Sequence, residues 1–464
     1  MKLNELTIKQ SIEGLRSKKF SSEELTKECL KEIKKKNVTL NAFISVCEEE
    51  ALKQAKRADK LISENQEALL LGIPIALKDL FLTKGIKTTA ASNVLNNYIP
   101  QYDGTVTSKL KEAGAVIIGK TNCDAWAHGS SGENSDFGPT KNPWNEEYVP
   151  GGSSSGSAVS VAANMCIAST GTDTGGSIRL PASFCNVVGL KPTYGRVSRY
   201  GIIAMASSLD SIGHFTKTVE DSASLLNVTA GTDPKDATTP NVRVDEYSQD
   251  LDKGVKGLRI GIPKEYFMEG LDNKIKEKVK RVIKFYEKEG ANIVDISLPT
   301  TKYAIACYYI IQPSEVSSNL ARYDGIRYGN TRMEFGSEAK RRIMLGTFTL
   351  SAGYYDAYYK KAMKVRTLIK KDFDDAFKKV DAILSPVSPT LPWKIGEKVN
   401  DPLKMYLSDI FTVTANLSGI PGLSIPIGFI NDLPVGLQIL GPNFSEKTLF
   451  RIGNHFERSN KNGL

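Results

Sequence analysis

The chain has 464 residues, 41% of them hydrophobic and 24% charged, which is usual for a globular protein with a sizeable core. It contains no apolar run near the ~20 residues that span a bilayer and no signal-peptide core at its start, so we expect a cytoplasmic protein with no membrane partner. The net charge is +9, but the lysines are spread along the chain, which favours a generally basic surface over one patch for RNA.

The six cysteines are scattered and form no C-x-x-C pair. This spacing argues against a disulfide framework and against a zinc site, and we assign no metal ligands. We expect most of the cysteines to be small buried hydrophobic residues.

The first 65 or so residues are predicted to be a mostly helical lead-in. Apolar spacing predicts a helix over residues 7–18, and Ser21 with Glu24 forms a capping box that begins a second helix. A short strand is expected at 41–46 and a charged amphipathic helix at 48–64. Such a segment usually packs on the outside of a domain as scaffold.

The apolar run 73–77 predicts a buried strand that is followed by Lys78. A lysine at the end of a strand commonly extends its ammonium group into solvent. If the side chain is partly buried instead, desolvation favours the neutral amine, which can accept a proton. The run itself leaves both interpretations open.

Residues 114–121 match the phosphate-loop pattern G-x-x-x-x-G-K-T, but we expect no ATP site there. A phosphate loop follows a strand and exposes its own amides. Here a helix is predicted at 108–113, and the β-branched residues at 116–118 place the strand inside the motif.

Two segments rich in glycine and serine, 149–158 and 171–179, place Ser153 and Ser177 beside paired glycines. Acyl transfer needs a hydroxyl nucleophile next to backbone N–H donors, and glycines allow the turns that expose these donors. Taken alone, the first segment could be a flexible linker and the second a tight structural turn. The small residues at 153–163 favour a buried helix packed against a sheet.

A serine nucleophile needs a base, and none of His128, His214 and His455 lies in a comparable setting. With Lys78 as the base, the two serine segments predict a Ser–Ser–Lys site that cleaves amides. The oxyanion hole would be formed by backbone N–H groups, those of Thr174, Gly175 and Gly176 together with that of Ser177.

The rest of the chain is predicted to alternate strands and helices. Residues 189–193 and 207–210 are interpreted as rim loops and 233–254 as an irregular surface connection. Strands are expected at 258–262, 291–295, 381–386 and 437–441, and helices at 272–289, over most of 303–379, and from 446. We predict one α/β domain, residues 1–464, with a mixed central sheet covered by helices on both faces, a catalytic core at about 66–230 and a second α/β and helical part at about 255–464.

Over essentially its whole length the chain resembles the amidase signature family. The motifs that carry the resemblance are Gly-Ile-Pro-Ile-Ala-Leu-Lys78-Asp, Pro-Gly-Gly-Ser153-Ser-Ser-Gly-Ser and Gly-Thr-Asp-Thr-Gly-Gly-Ser177-Ile-Arg, and the separation of the two serines is also the usual one. The resemblance implies that Ser177 is the nucleophile, that Ser153 relays its proton and that Lys78 is the neutral base. It also implies a cis peptide bond before Ser153.

Within this family the chain is most similar to the glutaminase subunits of tRNA-dependent amidotransferases, through residues 314–325, 340–346 and 353–361. This resemblance implies that the chain hydrolyses glutamine to supply ammonia for converting Glu-tRNA(Gln) to Gln-tRNA(Gln). It also implies B and C partner subunits, of which the B subunit mainly binds tRNA, ATP and Mg²⁺. No cofactor is expected in this chain.

The same resemblance implies that Arg342 binds the carboxylate of glutamine and Asp409 its ammonium group, with Tyr308 in the same pocket, although Tyr309 adjoins it. One charge of each sign suits a zwitterionic substrate, whereas the residues alone would indicate ordinary surface charges. A stand-alone amidase acting on small carboxamides would not need this pair. A non-catalytic RNA-binding protein would not need Ser177.

Four features depart from the pattern of that subfamily. Ala125 removes a carboxylate, His128 replaces a methionine, His214 stands where proline is common, and the segment 330–339 is shorter than usual. None of them belongs to the Ser–Ser–Lys set, so they concern the rim of the pocket and its partner contacts.

Overall fold

The computed structural model describes residues 2–268 and 270–460, and one eleven-stranded sheet runs through them. The strands are β1 Phe43–Val46, β2 Pro74–Lys78, β3 Val116–Thr121, β4 Ala168–Asp173, β5 Val188–Lys191, β6 Ser211–Thr216, β7 Arg259–Pro263, β8 Asn292–Ile296, β9 Ala382–Pro386, β10 Gly422–Ile430 and β11 Leu433–Leu440. They lie side by side in the order β1–β3–β2–β4–β6–β5–β10–β11–β9–β7–β8.

The sheet is mixed, as predicted. Strand β2 runs parallel to β3 and β4, and β7 runs parallel to β8 and β9. The remaining pairings in the described residues are antiparallel. Because β2 and β4 are parallel neighbours, their carboxyl ends meet at one edge of the sheet, where loops can assemble a site.

The α-helices of the described residues are α1 Ile8–Arg16, α2 Ser22–Leu40, α3 Glu48–Ser63, α4 Thr105–Glu112, α5 Ser155–Ala162, α6 Arg179–Cys185, α7 Val219–Thr229, α8 Asn273–Lys288, α9 Ala304–Leu320, α10 Ser337–Leu350, α11 Lys361–Phe377, α12 Pro402–Leu407, α13 Val413–Ser418 and α14 Glu446–Ser459. They cover both faces of the sheet. In β10, Gly422 lies against Arg179 of α6, whereas the next residue, Leu423, lies against Gly453 of α14. Successive strand residues point to opposite faces, so the two helices pack on opposite sides.

The helical lead-in is confirmed. In the capping box of α2, Ser21 Oγ accepts the Glu24 N–H at 3.1 Å and the Glu24 carboxylate accepts the Ser21 N–H at 2.8 Å. The chain then forms β1 and α3 at the expected places. No helix within residues 2–268 and 270–460 is long and apolar enough to cross a membrane. All six cysteines are free and five are buried, also as expected.

Residues 116–121 of the phosphate-loop pattern form β3, so the pattern contains no loop that exposes its amides. Lys120 is buried in this strand. Its Nζ donates hydrogen bonds of 2.7 Å to Phe81 O and to Thr88 Oγ1, and it lies 3.4 Å from an oxygen of Asp79. The lysine is therefore part of the protein core, and the strand lies inside the motif, as the sequence predicts.

The interpretation of residues 189–193 as a rim loop is wrong. Four residues, Val188–Lys191, form β5 between β6 and β10 in the middle of the sheet. At Gly189 an added Cβ would lie only 2.5 Å from Ala182 Cβ, so this glycine permits close packing of α6 on the strand. Strands β6 and β10 were not predicted either. In the short strand β6, glycine and polar residues leave no clear apolar period, whereas in β10 apolar residues alternate at 423, 425 and 427 but Pro426 and Gly428 argue against a central strand.

A buried ion pair connects the end of β4 to the start of α6. Asp173 accepts hydrogen bonds from Arg179 Nε at 3.1 Å and from Arg179 Nη2 at 2.9 Å, and both side chains have no exposed surface. Arg179 also donates to Gln438 and Asn416. Burial opposes ionisation of Asp173, but the Arg179 charge prevails and lowers the pKa of Asp173 to about 2. The pair fixes the five-residue turn between them.

We expect Arg179→Met to lower the free energy of unfolding by about 3–5 kcal/mol, because Asp173 would remain as a buried charge without its partner. Denaturant unfolding followed by circular dichroism measures this loss. Arg16→Met is a matched control, since Arg16 and Glu67 form an exposed pair at 3.1 Å whose loss costs less than about 1 kcal/mol. Equal losses in the two variants would contradict the importance of the buried pair.

Candidate active site

Lys78 is the last residue of β2 and is completely buried. Its Nζ lies 2.8 Å from Ser153 Oγ, 2.9 Å from Ser154 Oγ and 2.8 Å from Thr172 Oγ1. Burial lowers the pKa of Lys78 to about 8, against the opposing influence of neighbouring acidic groups. A solvent-directed lysine is therefore excluded, and a substantial fraction of the amine is neutral close to physiological pH.

The direction of the hydrogen bond between Lys78 and Ser154 follows from the other partner of Ser154. Ser154 Oγ donates to Thr172 O at 3.0 Å, so the Ser154 oxygen must accept from Lys78. A neutral amine has two N–H groups and one lone pair. With the N–H groups directed at Ser154 and Thr172, the lone pair faces the Ser153 hydroxyl, which can then donate its proton to Lys78. This is the arrangement that a general base requires.

The Gly152–Ser153 peptide bond is cis, as the family resemblance implies. There is no room for a side chain at position 152, because a Cβ added to Gly152 would lie 2.0 Å from an oxygen of Asp124. The chain then enters α5, whose first seven residues are buried. The flexible-linker interpretation of this segment is therefore excluded, since the glycines here allow close packing.

Ser177 lies on the turn before α6 and is 7% exposed. Its carbonyl accepts the Ser154 N–H at 3.2 Å, which joins the two serine segments. One detail differs from the sequence-based expectation: the N–H of Gly176 donates to Asp173 Oδ1 at 2.9 Å instead of facing the expected oxyanion position. The reason is the buried Asp173 carboxylate, which draws this N–H into the turn.

The predicted substrate charges, Arg342 and Asp409, are both buried. Arg342 Nε donates to Glu338 at 2.7 Å, and the guanidinium carbon lies 5.8 Å from the centre of the Tyr309 ring. Asp409 accepts from Ser130 Oγ at 2.7 Å and from the Tyr309 hydroxyl at 3.2 Å. Burial raises the pKa of Asp409 to about 7. Neither residue is an ordinary surface charge.

The two neighbouring tyrosines take different positions. Tyr309 lies between the two charges, whereas Tyr308 packs on the turn before Ser177, where an added Cβ on Gly175 would lie 2.7 Å from the Tyr308 hydroxyl oxygen. Thr412 Oγ1 donates to Gly175 O at 2.6 Å and lies 3.1 Å from Asp409 O. The pocket of opposite charges and the serine turn are therefore in contact through Thr412 and Tyr308.

Sequence reasoning missed several residues of this site. Ser154 and Thr172 lie beside the predicted residues, within the same motifs, but only the fold shows that they contact Lys78. Ser130 and Tyr309 hold Asp409; nothing in the local sequence distinguishes Ser130, and the sequence singles out Tyr309 only as the neighbour of Tyr308. In the part of the chain that the structure describes, no group of three or more His, Cys, Asp or Glu side chains could hold a metal ion.

The two histidines that depart from the subfamily pattern, His128 and His214, do not contact Lys78. His214 Nε2 is 2.8 Å from Ser222 Oγ. His455, which is not one of the departures, has its Nε2 3.1 Å from a Glu289 oxygen. His128 is buried in the wall of the pocket that contains Arg342.

Comparison with known proteins agrees with this geometry. A family model described as "Amidase" matches residues 24–450. The glutamyl-tRNA(Gln) amidotransferase A subunit of Desulfatibacillum aliphaticivorans is 54% identical over 99% of this chain and 98% of its own length, and that of Geobacter metallireducens is 54% identical with the same coverage. The crystal structure of the corresponding protein from Thermotoga maritima is 46% identical, with a TM-score of 0.85, and the match covers 99% of this chain and 95% of that chain. This chain therefore belongs to the amidase family.

Proposed function

We propose that this chain is the glutamine-hydrolysing subunit of a tRNA-dependent amidotransferase. The single observation that carries the chemistry is the buried Lys78 amine 2.8 Å from Ser153 Oγ, which gives a proton relay without histidine. The place of the chain in such a complex is supported by its full-length similarity to the A subunits of glutamyl-tRNA(Gln) amidotransferases and by the buried opposite charges of the pocket.

In the proposed reaction the Ser177 hydroxyl attacks the side-chain carbonyl carbon of glutamine. Its proton passes to Ser153 as Ser153 gives its own proton to Lys78. The N–H groups of Thr174, Gly175 and Ser177 stabilise the oxyanion, while Gly176 supports the turn through Asp173. The relay then returns a proton to the leaving nitrogen, ammonia departs, and water hydrolyses the glutamyl ester to release glutamate.

Recognition of the amino acid part is assigned to the charged pocket. Arg342 binds the α-carboxylate of glutamine and Asp409 its ammonium group. Because both groups are buried, each attraction is stronger than it would be in water. Tyr309 contacts both charges and Tyr308 packs at the reacting end, so the two tyrosines set the distance between the zwitterion and Ser177.

The rest of the reaction is assigned to partner proteins. We propose that the B subunit uses ATP and Mg²⁺ to activate Glu-tRNA(Gln) and receives the ammonia, that the C subunit supports the pair, and that this chain uses no cofactor of its own. The complex would work in the cytoplasm, where its tRNA substrate is found. The continuous eleven-stranded sheet supports a single domain for residues 1–464.

The first test measures ammonia release by the chain co-expressed with its B and C partners. We expect glutamine to be preferred over simple carboxamides and the rate to rise when Glu-tRNA(Gln) and ATP are added. Ser177→Ala should reduce release by more than about a thousandfold without changing the melting temperature. Ser183→Ala is the matched control, because Ser183 is a buried serine of α6 that accepts the Gly436 N–H. A preference for simple amides with no response to tRNA would instead identify a stand-alone amidase.

The rate should follow the ionisation of Lys78. Below its pKa the side chain is protonated and cannot accept a proton; above it the amine is neutral. At saturating glutamine, kcat should rise about tenfold per pH unit and level off above pH ~8. Asp409→Asn should keep the same inflection, since Asp409 lies outside the relay. A rate that is flat or falls between pH ~6 and ~9 would contradict a lysine base.

Asp409→Asn should raise the KM for glutamine about tenfold to a hundredfold, because the ammonium group loses a charged hydrogen-bond partner. The asparagine keeps an oxygen for Ser130 and Tyr309, so the pocket should stay intact. Steady-state kinetics with 4-carbamoylbutanoate, which is glutamine without its ammonium group, provides the control. An equal effect on both substrates would contradict the assigned role.

A further inference from the structure

His128 is a buried side chain whose polar atoms are unused within the described residues. It has no exposed surface, and neither ring nitrogen has a hydrogen-bond partner. Its backbone is held in place, because Asn134 Nδ2 donates to His128 O at 2.7 Å. A buried polar group without a partner is costly and calls for an explanation.

His128 lines a pocket together with Arg342, Met405 and Tyr406. Burial, with a smaller contribution from the Arg342 charge, holds the pKa of His128 well below its usual value. The ring is therefore neutral, with one N–H donor and one lone pair. Arg342 has no acceptor atom, so it cannot satisfy the N–H of the ring.

The buried charges of Arg342 and Asp409, of which Arg342 lines the same pocket as His128, suggest which part of a ligand His128 contacts. Asp409 already accepts from Ser130 and Tyr309, and its remaining capacity suits an ammonium group. The positive charge that contributes to the low pKa of His128 is the guanidinium of Arg342. The Nε of Arg342 already donates a hydrogen bond to Glu338. A carboxylate bound by the other nitrogens of Arg342 would offer the acceptor that the imidazole N–H needs.

We propose that His128 is a substrate-binding residue that donates its imidazole N–H to the α-carboxylate of glutamine, beside Arg342. This inference rests on the proposed function. It gives a role to a residue that departs from the subfamily pattern, since a methionine at this place fills space but donates no hydrogen bond. The carboxylate then receives one charged and one neutral donor instead of a charged donor alone.

The test compares the wild-type complex with His128→Met in the full complex with B and C subunits. The ligands are L-glutamine and 4-aminobutanamide, which is glutamine without its α-carboxylate. We expect His128→Met to lower kcat/KM for glutamine about tenfold or more. The inhibition constant of 4-aminobutanamide against glutamine hydrolysis should change less than about twofold, because that ligand has no group for the imidazole N–H.

The variant His128→Gln is the control that separates loss of the hydrogen bond from a change in packing at this position. Its side-chain amide can donate a hydrogen bond from nearly the same place, so it should recover much of the lost kcat/KM for glutamine. Unchanged glutamine kinetics in His128→Met would overturn this inference while leaving the proposed function intact. Equal losses for both ligands, or no recovery in His128→Gln, would also overturn it. A wild-type complex that does not hydrolyse glutamine would overturn both the proposed function and this inference.

Discussion

The amine of Lys78 lies inside the protein against three hydroxyl groups, and the architecture around it serves to hold it there. The lysine comes from β2, Thr172 from the neighbouring parallel strand β4, and Ser153 and Ser154 from the segment before α5. In water the ammonium form would dominate at neutral pH, but removal from water lowers the pKa to about 8. The hydroxyls satisfy the amine without adding the negative charge that would hold its proton.

Two other buried lysines show what a different environment does. Lys120 lies 3.4 Å from the Asp79 carboxylate, and Lys191 donates to two backbone carbonyls, those of Pro192 and Ile420. The carboxylate and carbonyl groups around these two lysines have no proton to give. The one hydroxyl among the partners is that of Thr88, which contacts Lys120. Lys78 instead contacts the hydroxyls of Ser153 and Ser154, and the Ser154 N–H bonds to the carbonyl of Ser177. These contacts distinguish a base from a structural cation.

The nucleophile turn and the substrate pocket depend on buried charges of another kind. Asp173 and Arg179 hold the turn that carries Ser177 from the end of a strand to the start of a helix. Arg342 and Asp409 have fewer partners. Arg342 contacts the carboxylate of Glu338, and Asp409 accepts hydrogen bonds from the hydroxyls of Ser130 and Tyr309. Buried charges with remaining bonding capacity are costly, and a zwitterionic ligand would supply the missing partners. The same reasoning applies to His128, a neutral hydrogen-bond donor whose buried ring nitrogens lack partners.

The sequence by itself determined the Ser–Ser–Lys motifs, the strand that ends in Lys78, the helical lead-in and the mixed α/β class, because glycine turns, caps and apolar runs act over short distances. It did not determine β5 and β6, whose glycine and polar residues become strands only through their neighbours in the sheet, nor β10, where Pro426 and Gly428 interrupt the apolar pattern. The tertiary structure alone decided that Ser154 contacts Lys78 and that the Gly176 N–H turns toward Asp173. It also placed Tyr309 between Arg342 and Asp409, residues up to 100 positions apart. Burial and long-range contacts set these features, and local sequence contains neither.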